Sequence, residues 1–170
     1  MNIPPLIFDE DLLRKHCKPI KHFEEAHQIA HILRKALARE KGLGIAAPQL
    51  GIHKQVALVK VNREILLINP KITRRWGIFS LKEGCLSFLG QEIECLRNTK
   101  VEIESAGQVF TVDGIHTFKQ REEIDIPRSL LEVACLQHEV DHLFGILIHD
   151  RAKPYEKERF EKLNSITRGI

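Results

Sequence analysis

Apolar side chains recur every three to four residues along positions 23–41, where Phe23, Ala26, Ala30, Leu33 and Leu37 share one stripe, and Gly42 follows. That spacing predicts an N-terminal helix ending at the glycine. Residues 42–51 read GLGIAAPQLG. Glycines and Pro48 break regular structure there, and the lack of charge predicts a loop packed against something, a common setting for a site. Between positions 55 and 126 the period shortens to short β-prone runs: QVALVKV, EILLIN, KITRRWGIF, KVEIES, QVFTV and a stretch ending in EEIDI. Turn residues separate several of them, which favours antiparallel strands. Residues 129–144 return to helix. Ser129 is placed to cap it, Glu132 to close a capping box, and Gly145 to end it. Leu130, Leu131, Val133, Ala134, Cys135, Leu136, Val140, Leu143 and Phe144 cover nearly its whole circumference. Such a helix belongs inside the protein, surrounded by strands. The charged segment 154–166, with Phe160, Leu163 and Ile166 on one stripe, predicts a C-terminal surface helix. No repeat, linker or low-complexity stretch divides the chain. The expectation is one α+β domain over residues 1–170, with antiparallel sheets around a buried central helix.

Composition narrows the partners. The 170 residues are 43% apolar, enough for a sizeable core, and Lys plus Arg (26) exceed Asp plus Glu (23) by only three. So small an excess argues against nucleic acid as an obligatory partner. No apolar run reaches the length of a membrane span, and residues 1–10 carry acids where a secretory signal carries bases, so a cytoplasmic protein is expected. Cys17, Cys85, Cys95 and Cys135 are too few and scattered for a disulfide framework; free thiols or metal ligands are the better reading.

Within the apolar helix lies His138-Glu139-Val140-Asp141-His142, an H-E-x-x-H pattern. One helical turn separates the imidazoles, so both can hold one ion, and a carboxylate beside them can move protons to and from water. Unpaired imidazoles in so apolar a helix would leave polar atoms unsatisfied, which favours the metal reading. A metzincin site would need histidine at 148, where the chain has Ile148, with His149 one place late. A thermolysin-like third ligand, Glu158 or Glu161, would fall in a highly charged segment. Cys135 shares the helix face but lies about 10 Å along the axis from His142, better placed to line a pocket than to share the ion. Cys17 and Cys95 read as structural. Cys85, in KEGCLSF, remains as a thiolate that Glu83 and Gly84 could present by interrupting the strands. Two imidazoles and one thiolate leave a coordination position for water, as a catalytic site requires. His27 and His31 are also one turn apart, but without accompanying thiolate or carboxylate ligands they read as solvated.

GLGIAAPQ at 42–49, EGCLS at 83–87 and QHEVDH at 137–142, in this order and spacing, resemble the peptide deformylases, and the similarity covers nearly the whole chain. The resemblance implies that Cys85, His138 and His142 bind one divalent ion, usually ferrous iron (Fe2+), with zinc, nickel or cobalt as substitutes. It implies that Glu139 is the base and then the acid. Gln49 and the N–H of Leu86 would donate to the formyl oxygen, and Gly44 would pair with an extended substrate backbone. Leu43, Leu131, Ala134 and Cys135 would line the slot for methionine. The implied reaction removes the formyl group from the N-terminal methionine of new proteins, with N-formylmethionyl peptides as partners and ribosome contact through the last helix as in some related enzymes. Two departures bear on substrate range: Phe88-Leu89 and then Gly90-Gln91-Glu92 follow EGCLS, where a β-branched residue, proline and later an arginine are frequent, and residues 113–127 form a longer connection. The alternatives are a thermolysin-like peptidase and a non-catalytic metal- or peptide-binding relative.

Overall fold

The computed structural model describes residues 3–115 and 127–154. Helix α1, Glu10–Leu13, is capped by Asp9, whose Oδ1 accepts from the Leu12 N–H at 3.0 Å. Helix α2, Phe23–Glu40, follows and ends at Lys41 in the left-handed region. Its buried stripe is Ala26, Ile29, Ala30, Leu33, Ala36 and Leu37. Phe23 was expected on that stripe and instead stands 59% exposed, because it opens the helix before the first turn reaches the sheet.

Among the described residues, eight antiparallel strands form three sheets. The first contains β1 (Gly44–Ala46), β2 (Val56–Lys60) and β3 (Glu64–Ile68) in that order. It is buried on both faces, so its residues read as unbroken apolar runs. Alternation divides them: Ile45, Val56, Leu58 and Ile68 pack toward α2, while Ala46, Ala57, Val59 and Leu67 pack with Val133, Leu136, Val140 and Leu143 of α3 (Arg128–Leu143). Fully burying side chains such as Leu58 or Leu67 stabilises by roughly 2 kcal/mol each. The expected loop at 42–51 is thus a short strand followed by a 3₁₀ turn, Ala47–Leu50, every residue of both buried. Three residues are too few to show a strand period, and pairing of Gly44 with Val59 and Ala46 with Ala57 supplies what local pattern could not.

The second sheet has the order β4 (Lys71–Trp76), β7 (Lys100–Ser105) and β8 (Gln108–Asp113). Val101, Ile103 and Val112 extend the core around α3. The third is a hairpin of β5 (Phe79–Cys85) and β6 (Phe88–Arg97), with only Leu86 and Ser87 between the strands. Here the structure corrects the sequence: Glu83 and Gly84 do not interrupt strands but lie within β5, opposite Ile93 and Glu92. A buried charge in a strand is tolerated because Arg97 neutralises it.

The start of α3 also differs from expectation. Pro127 occupies the N-cap and no side chain caps it; the Ser129 hydroxyl donates to the Gly114 carbonyl at 2.8 Å, and Glu132 accepts from the Asn62 N–H at 3.1 Å. Both would-be capping groups tie the helix to neighbouring chain instead. Gly145 does follow the helix with φ of +70°. A Cβ there would collide with the Arg14 carbonyl, where the N-terminal segment crosses the end of α3 and the Cys17 N–H donates to Leu143 at 3.0 Å. Cys17 and Cys95 are buried, as their structural reading requires. His27 and His31 are exposed. The run ending in EEIDI lies outside the described residues, as do most of the 113–127 connection and all of the expected C-terminal helix beyond Pro154.

Candidate active site

Helix α3 carries His138, Glu139 and His142 in its buried middle, where β1, β2 and β8 surround it. The two rings stand 4.9 Å apart, with their Nε2 atoms 3.2 Å from each other. From the last residue of β5, Cys85 brings its Sγ to 3.4 Å from His142 Nε2. One ligand atom from each of Cys85, His138 and His142 lies within 4.8 Å of the other two. Burial lowers the His142 pKa, which favours the neutral imidazole a metal needs. His138 Nδ1 lies 2.9 Å from Glu83 Oε2, so a proton held there leaves Nε2 free to coordinate. Three donors converging in a buried site, one of them sulfur, suit a borderline-soft ion rather than calcium or magnesium. The residues present fit a resident metal.

Sequence reasoning missed the network behind these ligands. Arg97 donates to both oxygens of Glu83, at 2.6 and 2.8 Å, and to Asp141 Oδ2 at 2.5 Å; Arg151 holds the same Asp141 through two bonds, at 2.7 and 2.9 Å. A chain of charges thus runs from His138 through Glu83 and Arg97 to Asp141 and Arg151. Burial pushes the Glu83 carboxyl up, and the hydrogen bonds from Arg97 and His138 overcome it, bringing the group to about 2. One signal existed. Asp141, like Glu132, is a charge on a largely apolar helix that the metal motif does not use, and it called for a buried cation.

Glu139 sits beside the ligands with Oε2 buried and without a hydrogen-bond partner. Burial pushes its carboxyl up to about 7. Gln49, 1% exposed, is fixed in orientation: its Oε1 accepts from the Ala46 N–H at 2.9 Å, leaving Nε2 to face Cys85 Sγ at 3.6 Å and Ser87 Oγ at 3.3 Å. A cavity of about 610 Å³ opens beside these groups, and Leu43, Gly44, Leu86, Leu131, Ala134 and Cys135 all line it. Every residue expected at the site is therefore gathered in one place. His149, the displaced metzincin histidine, is instead engaged with Arg14 at 2.6 Å.

Gly44 is required by close approach. A Cβ built on it would stand 2.5 Å from Glu139 Oε1 and 2.7 Å from Cys135 Sγ. Gly44→Ala should therefore displace the Glu139 carboxylate and lower kcat by about a hundredfold or more, in line with the cost of a 1 Å misplacement. Metal content should be unchanged. Steady-state kinetics with metal analysis checks this, and a kcat within threefold of wild type would contradict it.

A buried HExxH helix that meets a cysteine from the end of a β-hairpin strand, with a carboxylate and a fixed amide alongside, defines the class of metal-dependent hydrolases acting on amides. The sequence profile of the family described as polypeptide deformylase matches residues 6–158. The chain belongs to the polypeptide deformylase family. A peptide deformylase of Buchnera aphidicola (subsp. Acyrthosiphon pisum) is 32% identical over 174 residues, covering 96% of this chain and 94% of that protein. Among solved structures, the peptide deformylase of Thermus thermophilus superposes with a TM-score of 0.79 at 27% identity, covering 97% of this chain and 94% of the other. That of Synechococcus elongatus in complex with actinonin gives 0.75 at 31% identity, covering 95% and 87%.

Proposed function

We propose that this chain, acting as one domain in the cytoplasm, removes the formyl group from the N-terminal methionine of newly made polypeptides and releases formate. The observation that carries the reading is the convergence of Cys85, His138 and His142 within 4.8 Å beside Glu139. These three residues would hold one divalent ion, ferrous iron by family resemblance, with zinc, nickel or cobalt able to replace it. When bound, the ion supplies Lewis acidity that makes water a better nucleophile and polarises the formyl carbonyl.

The rest is done by side chains and backbone. Glu139 accepts a proton as water adds to the formyl carbon and returns it to the amine nitrogen as the C–N bond breaks. A carboxyl with pKa near 7 can do both at neutral pH. Gln49 Nε2, held by the Ala46 lock on its oxygen, donates to the formyl oxygen as negative charge builds there, and the Leu86 N–H is the second donor. Because β1 is a sheet edge, Gly44 offers its backbone to an extended substrate. Leu43, Leu131, Ala134 and Cys135 form the apolar slot for methionine. Leu89 and Glu92 line the outer cavity, where residues after methionine would pass.

Three activities separate in one assay series on anaerobically prepared, iron-loaded protein. Formate release from formyl-Met-Ala-Ser, lost on chelation and restored by iron, is the expected result. Cleavage of internal peptide bonds with indifference to Cys85→Ala would support the thermolysin-like alternative. Metal binding with no turnover of either substrate would leave a non-catalytic relative.

A further inference from the structure

The near-neutral charge balance of the whole chain hides a local excess. Residues 15–22 read KHCKPIKH, three lysines and two histidines without an acid, and Lys15, His16, Lys18, Lys21 and His22 are all exposed. Backbone hydrogen bonds fix this segment against residues 53–55: the Lys18 N–H donates to the His53 carbonyl at 3.0 Å, and the Gln55 N–H to the Lys18 carbonyl at 2.9 Å. The resulting bridge sets Lys18 beside Lys54. A groove of about 610 Å³ opens there, lined by Lys15, Lys18, Lys54, His16 and His53 over an apolar floor that includes Ile29 and Ile32 of α2. Among the described residues Glu25 is the one carboxylate lining it, and Lys54 takes that at 2.6 Å. Lys15, Lys18 and Lys21 form no ion pair among the described residues. His53, in the same wall, has a buried Nδ1 without a hydrogen-bond partner. No lining residue of this groove belongs to the catalytic cavity.

The exposed ammonium groups of Lys15 and Lys18, with Lys54 set beside Lys18 by the main-chain bridge, repel one another, and an anion relieves that repulsion. Recognition of a single phosphate needs donors converging on one point. Here Lys15 and Lys18 line the groove while Lys21 lies beyond it, in a neighbouring pocket that Glu104 also lines, so the lysines are spread along the surface rather than converging, which suits a polymer of phosphates. We propose that the segment Lys15–Lys21 with Lys54 is a docking surface for the sugar-phosphate backbone of RNA, separate from the catalytic cavity and independent of the reaction there.

The test uses the full chain and a fluorescein-labelled single-stranded RNA of mixed sequence, followed by anisotropy between about 50 and about 200 mM salt. With Lys54 engaged by Glu25, contacts from Lys15, Lys18 and Lys21 predict a log–log salt slope of about −2 for wild type. The triple variant Lys15→Gln/Lys18→Gln/Lys21→Gln should bind about tenfold or more weakly, with the slope moving toward zero. A control, Arg63→Gln/Arg74→Gln/Arg75→Gln, removes equal charge from other exposed positions and should bind like wild type. Both variants should keep the wild-type melting temperature and formyl-peptide turnover, which separates this proposal from the catalytic one. Equal RNA binding by the lysine variant and wild type, equal weakening in the control, or tighter binding of poly-glutamate than of RNA would each overturn it.

Discussion

Glu139→Ala should lower kcat by about a thousandfold while the protein keeps its metal and folds at least as stably as wild type. The kinetic loss follows from removing the carboxylate proposed to carry the proton between water and amine, a role worth roughly 10²–10⁴. Retention of metal follows because Glu139 is not among the three converging donors. Stability follows from burial: Oε2 has no partner, so the wild-type fold carries the desolvation of a polar atom that alanine lacks. The melting temperature should therefore stay level or rise, as expected where a catalytic group is held at the expense of stability. Formate release, metal stoichiometry and thermal melts on the same preparation test all three. Turnover within tenfold of wild type would remove Glu139 from its assigned role, and loss of metal would make it a ligand.

Legibility in the sequence followed how locally each feature is encoded. Helix α3 and its motif could be read because an i, i+4 pair on an apolar helix fixes its own geometry. Helix α2 and strands β2, β3, β4, β7 and β8 carried enough period to be found; β1 and β5 did not, and of β6 only the run around Cys95 read as strand-like. Three residues hold no period in β1, while in β6 the outward positions Gln91, Glu92 and Glu94 and the excursion at Leu89-Gly90 obscure the alternation. The cavity-lining residues Leu43, Leu131, Ala134 and Cys135 were readable as one face of α3 plus one loop. The charge network was not, since Glu83, Arg97, Asp141 and Arg151 meet only after the hairpin packs on the helix. Ser129 and Glu132 failed for the same reason: a capping box is a local rule, and Gly114 and Asn62 offered better partners from elsewhere in the chain.

That network carries the second large effect. In Arg97→Met, Glu83 loses both guanidinium bonds and Asp141 keeps only Arg151, leaving a carboxylate buried against His138 with no cation. Arg97 and Glu83 are 2% and 8% exposed, so water screens little of this, and breaking the pair should cost about 3–5 kcal/mol in urea unfolding. The second consequence is local. Glu83 positions the His138 ring through Nδ1, and a carboxylate released from Arg97 no longer fixes that ring, so metal affinity should fall about 10–100-fold in competition with a chromophoric chelator. The double variant Glu83→Gln/Arg97→Met distinguishes lost charge balance from lost packing. The introduced amide can still accept from His138 but carries no charge, so much of the stability should return relative to Arg97→Met alone, and metal affinity should recover with it. If Arg97→Met unfolds within about 1 kcal/mol of wild type, or if the double variant is no better than the single, the ligands are held by packing rather than by this chain of charges.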